Sequence, residues 1–186
     1  MKLKIGEKIP NFKYKTALQS NLKLYNNINR KNIVIFFLRY YGCTICQLDL
    51  KNIENNIEEF NNNNIEVKVV LQSDPNEIKK QLKKNPLSYE IICDPSLELY
   101  NKFEINPAKN EEEIIGGNTP KKIKKAKRQN IKHGKYEGEE LQLPAVFIMN
   151  KKGIINYSYY GKNAADIPSP KETLILTKWL NNAEIR

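Results

Sequence analysis

Hydrophobic and polar positions along the chain follow two different periods, which predicts that strands and helices succeed one another. Residues 32–39, with the sequence NIVIFFLR, are apolar on both faces and rich in β-forming residues, as in a central parallel strand that is covered on both sides. Beyond Cys43, apolar residues recur in steps of four and three as far as Phe60. This spacing predicts one amphipathic helix with Cys43 and Cys46 on its buried stripe.

The remaining elements continue this alternation. They are one or two short strands within 12–28 with a turn around 19–21, strands at 65–72 and 89–93, helices from 73–75 to 84 and over 95–103, a β-hairpin at 143–161 that turns at 151–153, and a helix from about 171 to 183. The last helix is expected to bury Leu176, Trp179, Leu180 and Ala183. Residues 104–142 are polar and weakly patterned, so we treat them as an insertion. This order predicts an α/β fold, in which a central sheet carries helices on both faces.

The composition is that of one globular domain spanning residues 1–186. A chain of 186 residues with 40% hydrophobic content is large enough to bury a core without crosslinks. Its three cysteines cannot all be paired with one another, which favours a reducing compartment. The N-terminus, MKLKIGEKIPNF, has no apolar run of the kind that a secretory signal or a membrane anchor needs. We therefore expect a cytoplasmic protein that is not attached to a membrane.

The formal charge of +10 is concentrated in one segment rather than spread along the chain. Residues 121–135, KKIKKAKRQNIKHGK, hold eight of the 31 basic residues and none of the 21 acids. A solvated helix or lid face is the first interpretation of this basic segment, and an anion site or a surface that docks an acidic partner is the alternative. No aromatic residues interleave the lysines, and no nucleic-acid-binding motif accompanies them, so the segment does not favour nucleic-acid binding.

The pair Cys43 and Cys46 is the strongest chemical signal in the chain. Two cysteines three residues apart on a helix lie within one turn on the same face, where they can exchange a disulfide or share a metal. A zinc site needs two further ligands, and only Cys93 and His133 remain, without a matching spacing. Cys93 ends a predicted strand and is expected to pack in the core. The chain also lacks a P-loop and a dinucleotide-binding glycine motif, so we expect neither a metal nor another cofactor.

Several stretches of the chain carry a resemblance to one superfamily. These stretches are GEKIPNF at 6–12, RYYGCTIC at 39–46, CDPSLELYNKF at 93–103, HGKYEGEELQLP at 133–144, LPAVFIMNKKG at 143–153 and YYGKNAADIPS at 159–169. They resemble peroxiredoxin-like proteins of the alkyl hydroperoxide reductase and thiol-specific antioxidant (redoxin) superfamily, in particular members that carry CxxC. The resemblance implies a thioredoxin-like three-layer sandwich, in which helices flank a central mixed sheet and the basic insertion precedes the last hairpin.

The chain departs from the usual peroxiredoxin motif, and two alignments of the cysteines fit. The motif PxxxTxxC falls on Arg39, Cys43 and Cys46, so that proline and threonine are replaced and Cys46 takes the position that attacks peroxide. In the thioredoxin alignment Cys43 attacks a disulfide and Cys46 resolves the mixed disulfide. In either case a helix N-terminus and the nearby cation Arg39 would lower the pKa of a thiol and so favour the reactive thiolate.

Residues near the cysteines have candidate roles, those of Leu143 and Pro144 by the resemblance and the others by their chemistry. Leu143 and Pro144 are expected to border the substrate groove, where thioredoxin-like folds usually place a cis proline. Tyr40 and Tyr41 flank the cysteine pair and would orient peroxide with a hydroxyl group or simply pack. His133 is a candidate base near the thiols, although a surface or loop-packing histidine is the alternative.

The function that follows is that of a thiol-dependent oxidoreductase. We expect a peroxiredoxin-like peroxidase that reduces hydrogen peroxide or alkyl hydroperoxides through a sulfenic acid and a Cys43/Cys46 disulfide. A thioredoxin-like disulfide reductase with Cys43 as nucleophile is the alternative, and a non-catalytic binding module that uses the basic segment is the second. Both enzymatic schemes require an external thiol reductant such as thioredoxin, glutaredoxin or glutathione, and the resemblance suggests a homodimer.

Overall fold

The structure is a computed structural model that describes residues 1–26, 28 and 31–184. Its strands are β1 (Lys13–Tyr14), β2 (Leu22–Lys23), β3 (Asn32–Phe37), β4 (Ile65–Leu71), β5 (Glu90–Cys93), β6 (Ala145–Met149) and β7 (Ile155–Tyr160). Its α-helices are α1 (Thr44–Glu54), α2 (Ile57–Asn62), α3 (Pro75–Lys84), α4 (Glu98–Lys102), α5 (Glu111–Ile114), α6 (Thr119–Arg128) and α7 (Pro170–Glu184), and a 3-10 helix covers Leu24–Asn26.

Among the described residues, five strands form a mixed sheet in the order β5-β4-β3-β6-β7, so β3 is the middle strand. It runs parallel to β4, with Phe37 opposite Val70, and antiparallel to β6, with Ile33 opposite Met149. The central position that the apolar sequence predicts for this strand is therefore confirmed. β1 and β2 form a separate antiparallel pair.

The two faces of the sheet are covered by different helices because the side chains of β3 alternate. Val34 and Phe36 point into one hydrophobic cluster, which also contains residues of α1, α2, α3, α5 and α7. Ile33 and Ile35 point into the opposite cluster, which contains residues of α4 and of the β1 strand. Helices thus lie on both faces of a mixed sheet, and the expected thioredoxin-like α/β fold is confirmed.

Two details differ from the sequence-based predictions. The helix after Cys43 is not continuous, because a turn at residues 55–56 separates α1 from α2. In α7 the face that packs inward includes Leu174, whereas Trp179 is 65% exposed, so the prediction that Trp179 is buried was wrong. The apolar positions of this helix, Leu174, Ile175, Leu176 and Trp179, span too wide an arc for all of them to face one core.

The polar segment 104–142 contains two helices, α5 and α6. The second of these packs against α1, and an ion pair joins the partly exposed Lys122 Nζ to the buried Asp49 Oδ2 at 2.7 Å. The apolar pattern of α6 is weak because its buried side chains are the small residues Thr119 and Ala126. Whether this segment is an insertion within a single domain stays a prediction.

Within the described residues, no helix has the length and hydrophobicity needed to traverse a lipid bilayer.

Candidate active site

Cys43 and Cys46 lie where the chain leaves the central strand and enters α1. Cys43 is the N-cap residue of this helix, and its Sγ accepts a hydrogen bond from the backbone N–H of Cys46 at 3.4 Å. Both side chains are buried, with 0% of Cys43 and 4% of Cys46 exposed. Both are free thiols in this structure. The N-cap position places the sulfur of Cys43 at the positive end of the helix dipole.

Arg39 supplies a positive charge directly to Cys43. It follows β3, and its Nη2 lies 3.0 Å from Cys43 Sγ. Its Nη1 donates a hydrogen bond to the backbone carbonyl of Glu140 at 2.6 Å. The guanidinium group is therefore held at both ends, between the thiol and a distant part of the chain.

The two cysteines differ in the protonation state that their surroundings favour. A hydrogen bond from the Cys46 side chain is the largest influence on Cys43, and together with the charge of Arg39 it outweighs burial and lowers the pKa of the Cys43 thiol to about 6. Burial is the largest influence on Cys46 and raises the pKa of its thiol well above the usual range. At neutral pH the geometry favours a thiolate at Cys43 and a protonated thiol at Cys46.

Residues 132–140, which we term the cover segment, lie across the start of α1. The backbone N–H of Gly134 donates to the carbonyl of Gly42 at 2.7 Å, and Gln47 Nε2 donates to the carbonyl of Lys132 at 2.9 Å. Ser73 Oγ donates to Glu137 Oε2 at 2.7 Å. A Cβ atom at position 42 would come within 2.1 Å of the Lys135 carbonyl oxygen, so the close approach of the cover segment requires glycine there.

Tyr40 and His133 join the cover segment to the core. The buried Tyr40 donates its hydroxyl proton to Glu140 Oε1 at 2.9 Å and lies 3.1 Å from His133 Nε2. The ring of His133 stacks on Tyr136 at 4.1 Å between centroids. Burial, followed by the hydrogen bond to Glu140, raises the pKa of Tyr40, so this hydroxyl stays protonated. The described contacts of His133 are with the cover segment and Tyr40, which is the loop-packing alternative rather than a position against a thiol.

The other predicted groove residues have structural contacts. Tyr41 is half-buried, and its backbone N–H donates to Ser73 Oγ at 2.9 Å. Leu143 packs against the hydrophobic cluster that contains both active-site cysteines. Pro144 is buried, and its carbonyl accepts from Gly161 N–H at 2.8 Å. No peptide bond between described residues is cis, so Pro144 has the trans form that X-Pro bonds favour and lacks the cis bond usual at this place in thioredoxin-like folds.

A cavity of about 420 Å³ opens beside Arg39, between the start of α1 and α6. Apolar walls are formed by Ile45, Ile123 and Ile131. Lys127, Lys132 and His133 also line the cavity. The sequence placed none of the isoleucines and neither of these lysines at the site, because residues 123–133 approach the cysteines only through the packing of α6 on α1.

The third cysteine and the possible metal ligands do not extend the site. Cys93 is the last residue of β5 and is buried, and burial raises the pKa of its thiol to about 12. This position agrees with a packing role. In the part of the chain that the structure describes, no group of three or more histidine, cysteine, aspartate or glutamate side chains is arranged to hold a metal ion.

The residues that fasten the cover segment were missed by the sequence interpretation. Glu137 and Glu140 belong to the cover segment itself, whereas Gln47 lies in α1 and Ser73 follows β4. Glu140 contacts Arg39 and Tyr40 across about one hundred residues of sequence, and no spacing or motif in the chain indicates this pairing.

The fold and the site together define a thiol oxidoreductase with a stabilised thiolate at the start of the helix that follows its central strand. The sequence profile of the AhpC/TSA family matches residues 5–158, and the chain therefore belongs to this family. Membership confirms the expected peroxiredoxin-like class of thiol peroxidase. No curated protein matches the chain in sequence.

Solved structures of peroxiredoxins share the fold at low sequence identity. The reduced 2-Cys peroxiredoxin of Plasmodium vivax is 13% identical with a TM-score of 0.69, and the match covers 98% of this chain and 99% of that one. A yeast mitochondrial 1-Cys peroxiredoxin is 14% identical with a TM-score of 0.71, covering 98% and 78% of the two chains. A cysteine-to-serine mutant of peroxiredoxin 6 from Arenicola marina is 17% identical with a TM-score of 0.72, covering 98% and 75%.

Proposed function

We propose that Cys43 attacks a hydroperoxide and that Cys46 resolves the product, in a protein whose overall activity is that of a peroxiredoxin-like peroxidase. The observation that best supports this assignment is the 3.0 Å approach of Arg39 Nη2 to Cys43 Sγ. The position of Cys43 at the helix N-terminus acts in the same direction. This assignment follows the thioredoxin alignment of the cysteines, although the substrate is the one typical of peroxiredoxins.

The first step is a displacement at oxygen. The Cys43 thiolate attacks the terminal oxygen of the hydroperoxide, an S–O bond forms, and the O–O bond breaks. The leaving oxygen departs as an alkoxide or hydroxide and takes a proton to become an alcohol or water. Sulfur is oxidised to a sulfenic acid by two electrons while the peroxide is reduced by two. Arg39, within hydrogen-bond distance of the sulfur, is placed to stabilise the negative charge that moves onto the leaving oxygen.

The second step uses the proximity of Cys46. Its sulfur attacks the Cys43 sulfenic acid, an S–S bond forms, the S–O bond breaks, and water leaves with the thiol proton of Cys46. The two sulfurs lie within one helical turn, so the disulfide closes without a partner chain. An external dithiol or two monothiols then return two electrons and restore both thiols. Thioredoxin, glutaredoxin and glutathione all have the required chemistry.

The burial of Cys43 favours a small oxidant over a protein disulfide. The side chain is 0% exposed beneath the cover segment, so a macromolecular disulfide cannot reach the sulfur unless that segment moves. A hydroperoxide is much smaller, so a smaller displacement of the cover segment is enough to admit it. One observation supports the alternative of a disulfide reductase. In a CxxC reductase the first cysteine attacks as a thiolate, and here the pKa of the first cysteine, Cys43, is lowered.

The test is the consumption of peroxide by the reduced protein of residues 1–186 without added reductant. We expect one equivalent of hydrogen peroxide per chain to be consumed and a Cys43–Cys46 disulfide to form, which mass spectrometry of unreduced peptides detects. Cys43→Ser is expected to abolish consumption, and Cys93→Ser is the matched cysteine control that keeps it. Turnover of a disulfide substrate without any consumption of peroxide would contradict the proposal. A cytoplasmic location and a homodimeric assembly stay predictions.

A further inference from the structure

The cavity beside Arg39 has two chemically distinct parts. Three isoleucines, Ile45, Ile123 and Ile131, form its apolar walls. The charged residues that line it, Arg39, Lys127 and Lys132, are all cationic, and none of the lining residues is acidic. A volume of about 420 Å³ lies within the range of roughly 300–1,000 Å³ that is typical of small-molecule sites.

The cationic side of the cavity is formed by two exposed lysines. Lys127 comes from the last turn of α6, and Lys132 begins the cover segment. No carboxylate of a described residue forms an ion pair with either lysine, in contrast to Lys122 in the same helix, which is paired with Asp49. The two amino groups are therefore available to an anion from outside.

The cavity ends next to the reacting sulfur without exposing it, since Cys43 is buried and does not line the cavity. Arg39 and Thr44 line it, and these two residues lie next to Cys43 in contact or in sequence. A ligand that fills the cavity can therefore contact the lysines, the isoleucines and the guanidinium group of Arg39, which in turn contacts Cys43.

We propose that this cavity binds the substrate of the peroxidase and selects an organic hydroperoxide that carries a carboxylate on an apolar body, such as a fatty acid hydroperoxide. This inference rests on the proposed function of Cys43. Charge complementarity identifies the ligand: the carboxylate meets Lys127 and Lys132, and the hydrocarbon packs on the isoleucines. The basic segment 121–135, whose charge had no assigned use in the sequence, supplies most of the lining.

The sharpest test compares the hydroperoxide of linoleic acid with its methyl ester, both below their micellar concentrations. The two substrates share the peroxide and the chain, and only the acid carries the negative charge. In the protein of residues 1–186 we expect kcat/KM for the acid to exceed that for the ester by about five- to tenfold, as two exposed ion pairs allow, and the preference to shrink as salt is added. The double variant Lys127→Gln/Lys132→Gln is expected to lose the preference, whereas the matched control Lys124→Gln, on the same helix outside the cavity, keeps it.

A second measurement separates this inference from the proposed function. Binding of dodecanoate, which has the carboxylate and chain but no peroxide, is followed by calorimetry in the wild type and in the same variants. Binding that the double variant loses and Lys124→Gln retains supports the cavity even if no hydroperoxide is consumed. Equal kcat/KM for acid and ester in the wild type, or a preference that survives in the double variant, would overturn the inference while leaving the peroxidase intact.

Discussion

Arg39 Nη2 lies 3.0 Å from Cys43 Sγ, while Nη1 of the same side chain donates to the Glu140 carbonyl. One guanidinium group thus contacts the thiol and also fastens the cover segment above it. Because an adjacent positive charge favours the ionised form of a thiol, this contact couples the reactivity of Cys43 to the closure of the site.

Replacement of Arg39 by methionine removes this charge and keeps a side chain of similar length. We expect the pKa of Cys43 to rise by about one unit or more, because an opposite charge at this distance typically shifts a pKa by roughly 1–3 units. The pH titration of the far-ultraviolet thiolate absorbance measures the change. Arg128→Met, on the exposed face of α6, is the control and is expected to leave the titration unchanged. An unshifted titration in Arg39→Met would show that the contact has no electrostatic role.

The wild-type protein should titrate one thiolate at an unusually low pH. The pKa of Cys43 is lowered to about 6, so its thiolate forms as the pH rises through about 6 and is lost below it. An ordinary cysteine with a pKa of about 8.5 would ionise only at higher pH. The low transition is expected to vanish in Cys43→Ser and to persist in Cys93→Ala. A low transition that Cys46→Ser rather than Cys43→Ser removes would reverse the assignment of the two cysteines.

Gly42→Ala tests whether the cover segment controls access to Cys43. The new methyl group would overlap the Lys135 carbonyl, and such overpacking typically costs about 1–3 kcal/mol. We expect the cover segment to lift and alkylation of Cys43 by iodoacetamide to accelerate by roughly tenfold, which corresponds to about 1.4 kcal/mol. Gly116→Ala, where the nearest atom is the Glu113 carbonyl oxygen at 3.2 Å, is the control. Unchanged alkylation in Gly42→Ala would mean that the cover segment does not limit access.

Cys93→Ala distinguishes packing from chemistry at the third cysteine. The buried sulfur fills space at the end of β5, so its removal is expected to lower the free energy of unfolding by about 1–2 kcal/mol, as measured by denaturant titration. Peroxide consumption is expected to stay at the wild-type level, since burial raises the pKa of this thiol to about 12. A variant with full stability and impaired turnover would indicate that Cys93 takes part in the reaction.

The sequence was informative where local pattern decides structure. The apolar run at 32–39 predicted the central strand, and CxxC after it predicted a thiol pair at a helix start, because both depend on neighbours in the chain. The hairpin turn at 151–153 was also predicted, because glycine in a short polar stretch indicates a turn. In the structure Gly153 adopts a positive φ of 81°, which glycine tolerates.

Other parts of the site depend on contacts that no local pattern encodes. Glu140 reaches Arg39 and Tyr40 only because the cover segment folds back over α1. The helix α6 was hidden by its polar sequence, although it brings Ile123 and Lys127 to the cavity. The sequence also left open which cysteine attacks, because the difference in pKa between Cys43 and Cys46 arises from the hydrogen bond between their side chains, from burial and from the charge of Arg39.

The most direct measurement exposes the single variants Cys46→Ser and Cys43→Ser to peroxide in the presence of dimedone, which traps sulfenic acids, and locates the adduct by mass spectrometry. In Cys46→Ser the resolving thiol is missing, so we predict that the adduct accumulates on Cys43 with one equivalent of peroxide consumed. Cys43→Ser should consume no peroxide and carry no adduct on Cys46. An adduct on Cys46 in Cys43→Ser, with consumption retained, would contradict Cys43 as the attacking residue and restore the peroxiredoxin alignment.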